Sequence, residues 1–225
     1  MAMKKRKGFS KVKMSITLLV LGILTAMGGF VYFGWQGADL SDVSGRKGIA
    51  IGYVDIERKV RNALNANVEV TLTEAELNQY IAKNLKMKQG GFMKGFAKVK
   101  GVYVDLKPDL MEIFIKREIA QYGEDGTIKT DVFKPFTHTV SMKLKIFTEV
   151  DEKGVTTRKV EFPGGTIGMA PTPGRMVLVV KSSFDQIAEH FKAETELGYK
   201  KMTSITVGDG FIKLDPRVKT RAVTE

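Results

Sequence analysis

The chain has 225 residues, 36 of them Lys or Arg and 25 Asp or Glu, no cysteine, and a formal net charge of +11. The absence of cysteine excludes disulfides, a thiolate nucleophile, a lipid-modified N-terminal cysteine and Cys-type zinc sites. The charge is lopsided: Lys4, Lys5, Arg6, Lys7, Lys11 and Lys13 precede Met14 and every acidic residue follows Ala38, so the remainder carries 30 basic against 25 acidic residues, a net +5 that implies no nucleic-acid partner.

From Met14 to Trp35 (MSITLLVLGILTAMGGFVYFGW) no side chain is charged. As a helix this stretch would rise roughly 33 Å, about the thickness of a bilayer's hydrocarbon core. A helix pairs each backbone amide internally, which lipid requires. Tyr32 and Trp35 stand at one end, where amphipathic rings prefer the headgroup layer. The basic residues before the stretch, and Asp39 and Asp42 after it, set the direction. Residues 1–13 are read as a cytoplasmic basic segment and 14–35 as a single transmembrane helix of the inner (cytoplasmic) membrane. All that follows is then extracytoplasmic, or periplasmic. A cleaved signal peptide would give the same orientation, but its apolar core normally runs about 7–15 residues. Gln36 also stands where cleavage before Ala38 would want a small residue.

Residues 36–52 (QGADLSDVSGRKGIAIG) read as a linker between membrane and domain. Residues 53–215 form one extracytoplasmic domain, and 216–225 a disordered tail. Ile56, Val60, Ala63 and Leu64 mark one side of a short helix that docks the linker. Residues 68–72 alternate as a strand does. Thr73-Glu74-Ala75-Glu76 is a capping box that accounts for both glutamates. Leu77, Tyr80, Ile81 and Leu85 then form one apolar stripe, and Gly90-Gly91 stops the helix.

Residues 86–100 mix lysines with Phe92, Met93 and Phe96. Those apolar tips would contact the membrane while the lysines meet phosphates. A glycine-rich connector whose aromatics cap the core fits the same letters, and patterning favours it.

Beyond Val99 the period becomes two. Val102, Val104 and Leu106 share a face, Pro108-Asp109 turns the chain, and Met111, Ile113 and Ile115 share a face of the returning strand. Val140, Met142, Leu144 and Ile146 lie on one side of a long strand over 136–150. Residues 151–154 turn it into another over 155–162. Residues 163–174 (PGGTIGMAPTPG) read as a Gly/Pro connector, with Thr172 and Pro173 as N-cap and first residue of one long helix. That helix carries Phe184, Ile187, Ala188 and Phe191. In the alternative, residues 175–180 form a strand and Ser182 caps a shorter helix. A hairpin around Gly208-Asp209-Gly210 closes the domain. The fold class is α+β: one N-terminal transmembrane helix, then a curved antiparallel β-sheet wrapped on two amphipathic helices.

The search for catalytic chemistry is negative, and the chain is read as no enzyme, without cofactor or metal. Ser141, His138 and Asp131 lack the nucleophile elbow that would make them a set. His138 reads as a surface strand residue and His190 as a polar-face helix residue. The apolar stripes by themselves favour a filled core. A strongly curved sheet on two helices would instead leave an elongated space for acyl chains, since Leu, Ile, Val, Phe and Met line such pockets.

The stretch Val70-Thr71-Leu72-Thr73-Glu74-Ala75-Glu76-Leu77-Asn78-Gln79-Tyr80-Ile81 resembles the opening helix of the YceB-like family of bacterial envelope proteins, which belong to the tubular lipid-binding (TULIP-like) domains. Residues 205–214 (ITVGDGFIKL) are similar to that family's closing hairpin. The chain departs from it in having no lipid-attachment cysteine. The resemblance implies a lipid-binding envelope domain. Leu77, Ile81 and Leu85 would face Phe184, Ile187 and Phe191 across a cavity walled by Val102, Val104, Ile113 and Ile115. The expected ligand is a phospholipid or another long apolar molecule, carried or chaperoned in the cell envelope. The alternative is a bitopic scaffold that assembles an envelope complex, binds a protein partner and holds no small ligand.

Overall fold

A computed structural model of the chain describes residues 11–44, 54–85, 96–123, 127–129, 134–150, 156–173 and 181–217. Helix α1 (Lys11–Trp35) contains a span, Leu18–Trp35, with mean hydropathy 1.8. Leu18, Leu19, Leu21, Leu24, Met27 and Val31 are all exposed along it, so the helix has no core of its own to face. Its length and apolarity fit a membrane anchor or a signal sequence alike.

The rest is α+β with antiparallel sheets. Helix α2 (Ile56–Ala66) starts on Asp55, whose carboxylate accepts from the Arg58 amide, and ends on Asn67 in the left-handed region at φ 53°. Strand β1 (Val70–Thr73) runs straight into helix α3 (Glu74–Asn84). The capping box forms as expected: Thr73 Oγ1 accepts from the Glu76 amide at 3.2 Å, and Glu76 Oε2 accepts from the Thr73 amide at 2.8 Å. Leu85 caps α3, so the helix stops before Gly90-Gly91, which lie outside the described residues.

Strands β2 (Ala97–Lys107) and β3 (Leu110–Ile119) pair through a two-residue turn, Pro108-Asp109. Proline presets the first turn position, and Asp109 takes the positive φ, 60°, required at the second. After the short pair β4 (Gln121–Tyr122) and β5 (Ile128–Lys129) come β6 (Phe136–Val150), β7 (Thr156–Ile167) and β8 (Ala170–Pro173). The large sheet runs β2-β3-β6-β7-β8. Helices α4 (Lys181–His190) and α5 (Lys192–Thr195) follow, and α5 continues as a π-helical turn (Glu196–Lys200). Strands β9 (Ser204–Gly208) and β10 (Phe211–Asp215) make the closing hairpin and take up β1, giving a small sheet β1-β10-β9.

Three expectations are corrected. Residues 163–173 are not a connector. Lys143 pairs with Gly164 and Lys145 with Glu161, so Phe162 and Pro163 bulge opposite Leu144, a place where proline's missing N–H is tolerated. A Cβ on Gly165 would run into the Ser141 carbonyl, so these glycines permit sheet pairing instead of breaking it. Thr172 and Pro173 lie in β8, an edge strand that can host Pro171 and Pro173. Finally, where one long helix was expected, the described part from Lys181 onward is three pieces, and residues 174–180 lie outside the described residues.

Of the expected linker, residues 36–44 are described and 45–52 lie outside the described residues. Leu40 and Val43 are buried against Phe114, with Ala38 and Tyr103 beside them, on the sheet face opposite Ile113 and Ile115. The segment around Leu40 and Val43 is therefore packed against the domain. The tail over 218–225 lies outside the described residues.

The other face of the large sheet carries the core in two parts. Val104, Leu106, Leu72, Val60 and Leu214 join α2, α3 and the small sheet. Val102, Ile115, Val140, Phe184 and Ile187 join the large sheet to α4.

Candidate functional site

The motif over residues 73–80 positions α3 against the sheet, and each polar letter has a task. Strand β2 is an edge of the large sheet and would leave backbone groups unpaired. Asn78, 1% exposed, covers them: its Oδ1 accepts from the Val104 amide at 2.7 Å, and its Nδ2 donates to the Val104 and Ser44 carbonyls at 2.8 Å. One side chain amide thus imitates a neighbouring strand.

Glu74 is buried and does no capping, contrary to the expectation. Its Oε2 accepts from the Leu106 amide at 2.7 Å and its Oε1 from the Ser44 amide at 2.6 Å. Lys59 Nζ donates to Glu76 at 2.7 Å, linking α2 to α3. Burial works to raise the Glu76 carboxyl, but Lys59 and the Thr73 amide outweigh it and hold it below its ordinary value. Tyr80 OH donates to Glu194 Oε1 at 2.6 Å, fastening α3 to α5.

Held in this way, the helices and sheets line an apolar cavity of about 620 Å³ that is partly open to solvent. Its wall takes Ile56 and Val60 from α2, Leu77, Tyr80 and Ile81 from α3, and Val102, Val104, Met111 and Ile113 from β2 and β3. Met142, Leu144, Ile146, Val160 and Phe162 come from β6 and β7, Phe184, Ile187, Ala188 and Phe191 from α4 and its end, and Ile205, Ile212 and Leu214 from the small sheet. The volume falls inside the range of roughly 300–1,000 Å³ typical of small-molecule sites. No protein-family model matches this chain, and no curated protein matches it in sequence.

Of the ten residues expected to line such a space, Leu77, Ile81, Val102, Val104, Ile113, Phe184, Ile187 and Phe191 lie on its wall. Ile115 is fully buried beside it, and Leu85 packs against the same cluster without reaching the space. The sequence reading missed α2, whose stripe of Ile56 and Val60 was assigned to docking the linker. It also missed Val160 and Phe162 on the returning strand. Their alternation was legible; their distance from the helices was not.

Phe92 and Met93, expected at the membrane, lie outside the described residues, and Phe96 is 47% exposed at the start of β2. Ser141 is fully buried, with its Oγ donating to Glu112 Oε1 at 2.5 Å. His138 pairs across from Arg117 on the opposite sheet face, so it and Ser141 do not meet; Asp131 lies outside the description. His190 is exposed, with Nε2 2.9 Å from the Asn84 carbonyl.

His138 is not the surface residue expected. It is half-buried near the end of α1, and burial first, then the Arg117 charge, push its pKa down against a hydrogen bond to the Gly34 backbone. The same seam holds α1 to the sheet. The Met169 amide donates to the Phe33 carbonyl at 2.9 Å, and Trp35 stacks on Phe136 with ring centroids 4.3 Å apart. Gly168, at φ 60°, sits where a methyl group would overlap the Gly34 and Gln36 carbonyls. Among the described residues no group of three His, Asp or Glu could hold a metal ion.

Proposed function

We propose that this protein is a membrane-tethered, extracytoplasmic domain that binds a lipid or another long apolar ligand in the cell envelope, as a carrier or chaperone without catalysis. Helix α1 serves as its anchor, with the N-terminus cytoplasmic. In this reading the large sheet curves around amphipathic helices in the manner of the tubular lipid-binding domains, and the ligand lies between them.

The observation that carries the proposal is the apolar cavity of about 620 Å³. Left without a guest, the apolar side chains of its wall face solvent, at a cost of about 25 cal/mol per Å² of exposed apolar surface. Water entering from the open side does not relieve that cost, because the apolar wall offers it few hydrogen-bond partners. An apolar guest does. At roughly 30 Å³ per methylene-sized unit the space accepts on the order of 15–20 of them, and each buried CH₂ contributes about 0.8 kcal/mol.

Native mass spectrometry of the full chain, released from detergent micelles, tests the proposal. The expected result is a co-purifying adduct of lipid mass, retained after washing. Bare polypeptide, with no uptake after incubation with phospholipid vesicles, would overturn it.

A further inference from the structure

We infer that the cavity selects an amphiphile whose polar end is a hydrogen-bond donor without negative charge, an amine or a hydroxyl, and rejects a free carboxylate. This rests on the apolar-ligand reading and adds the chemistry of the head. Among the described residues, the charged side chains on the cavity wall are Glu57, Asp185 and Glu194, all acidic; no Lys or Arg is among them. Arg61 occupies Glu57 through both Nε and a terminal nitrogen, at 2.8 and 2.6 Å.

Glu194 is presented differently. Its Oε1 takes the Tyr80 hydroxyl at 2.6 Å, and Tyr80 is itself buried at 8% exposure, so the carboxylate is fixed where α3 meets α5, beside the apolar space. Three nearby lysines are engaged elsewhere: Lys59 of α2 with Glu76 at 2.7 Å, Lys192 of α5 with Glu189 at 3.5 Å, and Lys200 of the π-helical turn with Glu196 at 2.8 Å.

The consequence for a ligand follows from desolvation. An anionic head drawn to this wall gives up water, meets no cation among its described residues in return, and faces a carboxylate of like charge. An ammonium gains a charge-assisted pair with Glu194, and a hydroxyl donates a hydrogen bond to it. Long-chain amines and neutral long-chain alcohols share this donor chemistry, and the two arms of the test separate them.

The test uses the full chain in phosphatidylcholine bilayers and three photoactivatable probes of one chain length, ending in an amine, a hydroxyl or a carboxylate. The pH is set so that the carboxylate is ionised. Labelling of peptides from β3 and β6 is divided by labelling of α1, which reports how much of each probe the membrane holds. The amine and hydroxyl probes are expected to exceed the carboxylate by at least about tenfold, the fold-change a charge-assisted hydrogen bond typically supplies. Glu194→Gln keeps an acceptor for Tyr80 and removes the charge; it should narrow the gap to about threefold or less. A carboxylate probe that labels the cavity as strongly as the other two would overturn the inference and leave the apolar-ligand reading standing. Failure of all three probes to label the cavity would overturn both.

Discussion

Replacing Asn78 by alanine should open the edge of β2. The side chain is 1% exposed and makes three hydrogen bonds, two of them to the amide and carbonyl of Val104. Val104 is itself buried, at 6% exposure, so its freed groups cannot turn to water, whereas exposed Ser44 can rehydrate. Two buried backbone groups left unsatisfied cost about 1–3 kcal/mol each, giving about 4 kcal/mol in total. For a chain of this size 1 kcal/mol moves the melting temperature by roughly 2–4 °C, so the expected fall is about 10 °C. Asn78→Asp should do no better. It keeps an acceptor for the Val104 amide but sets a charge against two carbonyls that need a donor. Thermal melts, together with hydrogen exchange at the Val104 amide, measure the effect. A fall of less than about 3 °C with that amide still protected would refute the reasoning, and with it the explanation of the motif over residues 73–80.

Ala188→Trp places a large ring on the cavity wall at an exposed helix position. It should cut recovery of apolar adducts in native mass spectra several-fold while leaving far-UV circular dichroism unchanged; undiminished recovery would contradict the proposed location of the ligand. Gly168→Ala forces a methyl group into the Gly34 and Gln36 carbonyls at a left-handed position, which costs of order 1–3 kcal/mol in backbone strain alone. It should speed chymotryptic cleavage after Trp35 by about tenfold or more, and an unchanged rate would show the seam to be unimportant. The seam should also weaken in acid. The folded pKa of His138 lies below its ordinary 6.5, so the open state binds the proton first as the pH falls. The contribution is therefore present above about pH 6.5 and lost as the pH falls through the folded value. Protection of the Met169 amide, corrected for intrinsic exchange, reports the loss; a protection factor that holds between about pH 7 and pH 5 would count against it.

Much of the architecture was written in local patterns. The run from Met14 to Trp35, the capping box at Thr73 and Glu76, the β2–β3 turn at Pro108-Asp109 and the closing hairpin each follow from a few neighbouring residues. Where the local rule misled, a contact from far along the chain had reversed its meaning. Pro163, Gly164 and Gly165 read as chain breakers. In the sheet they are a bulge and a close approach to the Ser141 carbonyl, which residues elsewhere supply. Glu74 read as half of a cap, yet it serves amides at Leu106 and Ser44. His138 read as exposed until the end of α1 covered it.

The interior divides along the same line. Alternation in β2, β3 and β6 determined which side chains turn inward, because a strand's period of two leaves no other choice. Whether those side chains meet one another or stand apart is a matter of separation between layers, and no periodicity encodes a distance. That separation was decided by the tertiary contacts that fix where the helices sit, Asn78 and Glu74 fastening α3 to the β2 edge and Tyr80 fastening it to Glu194, leaving an apolar space where the sequence pattern by itself favoured a filled core.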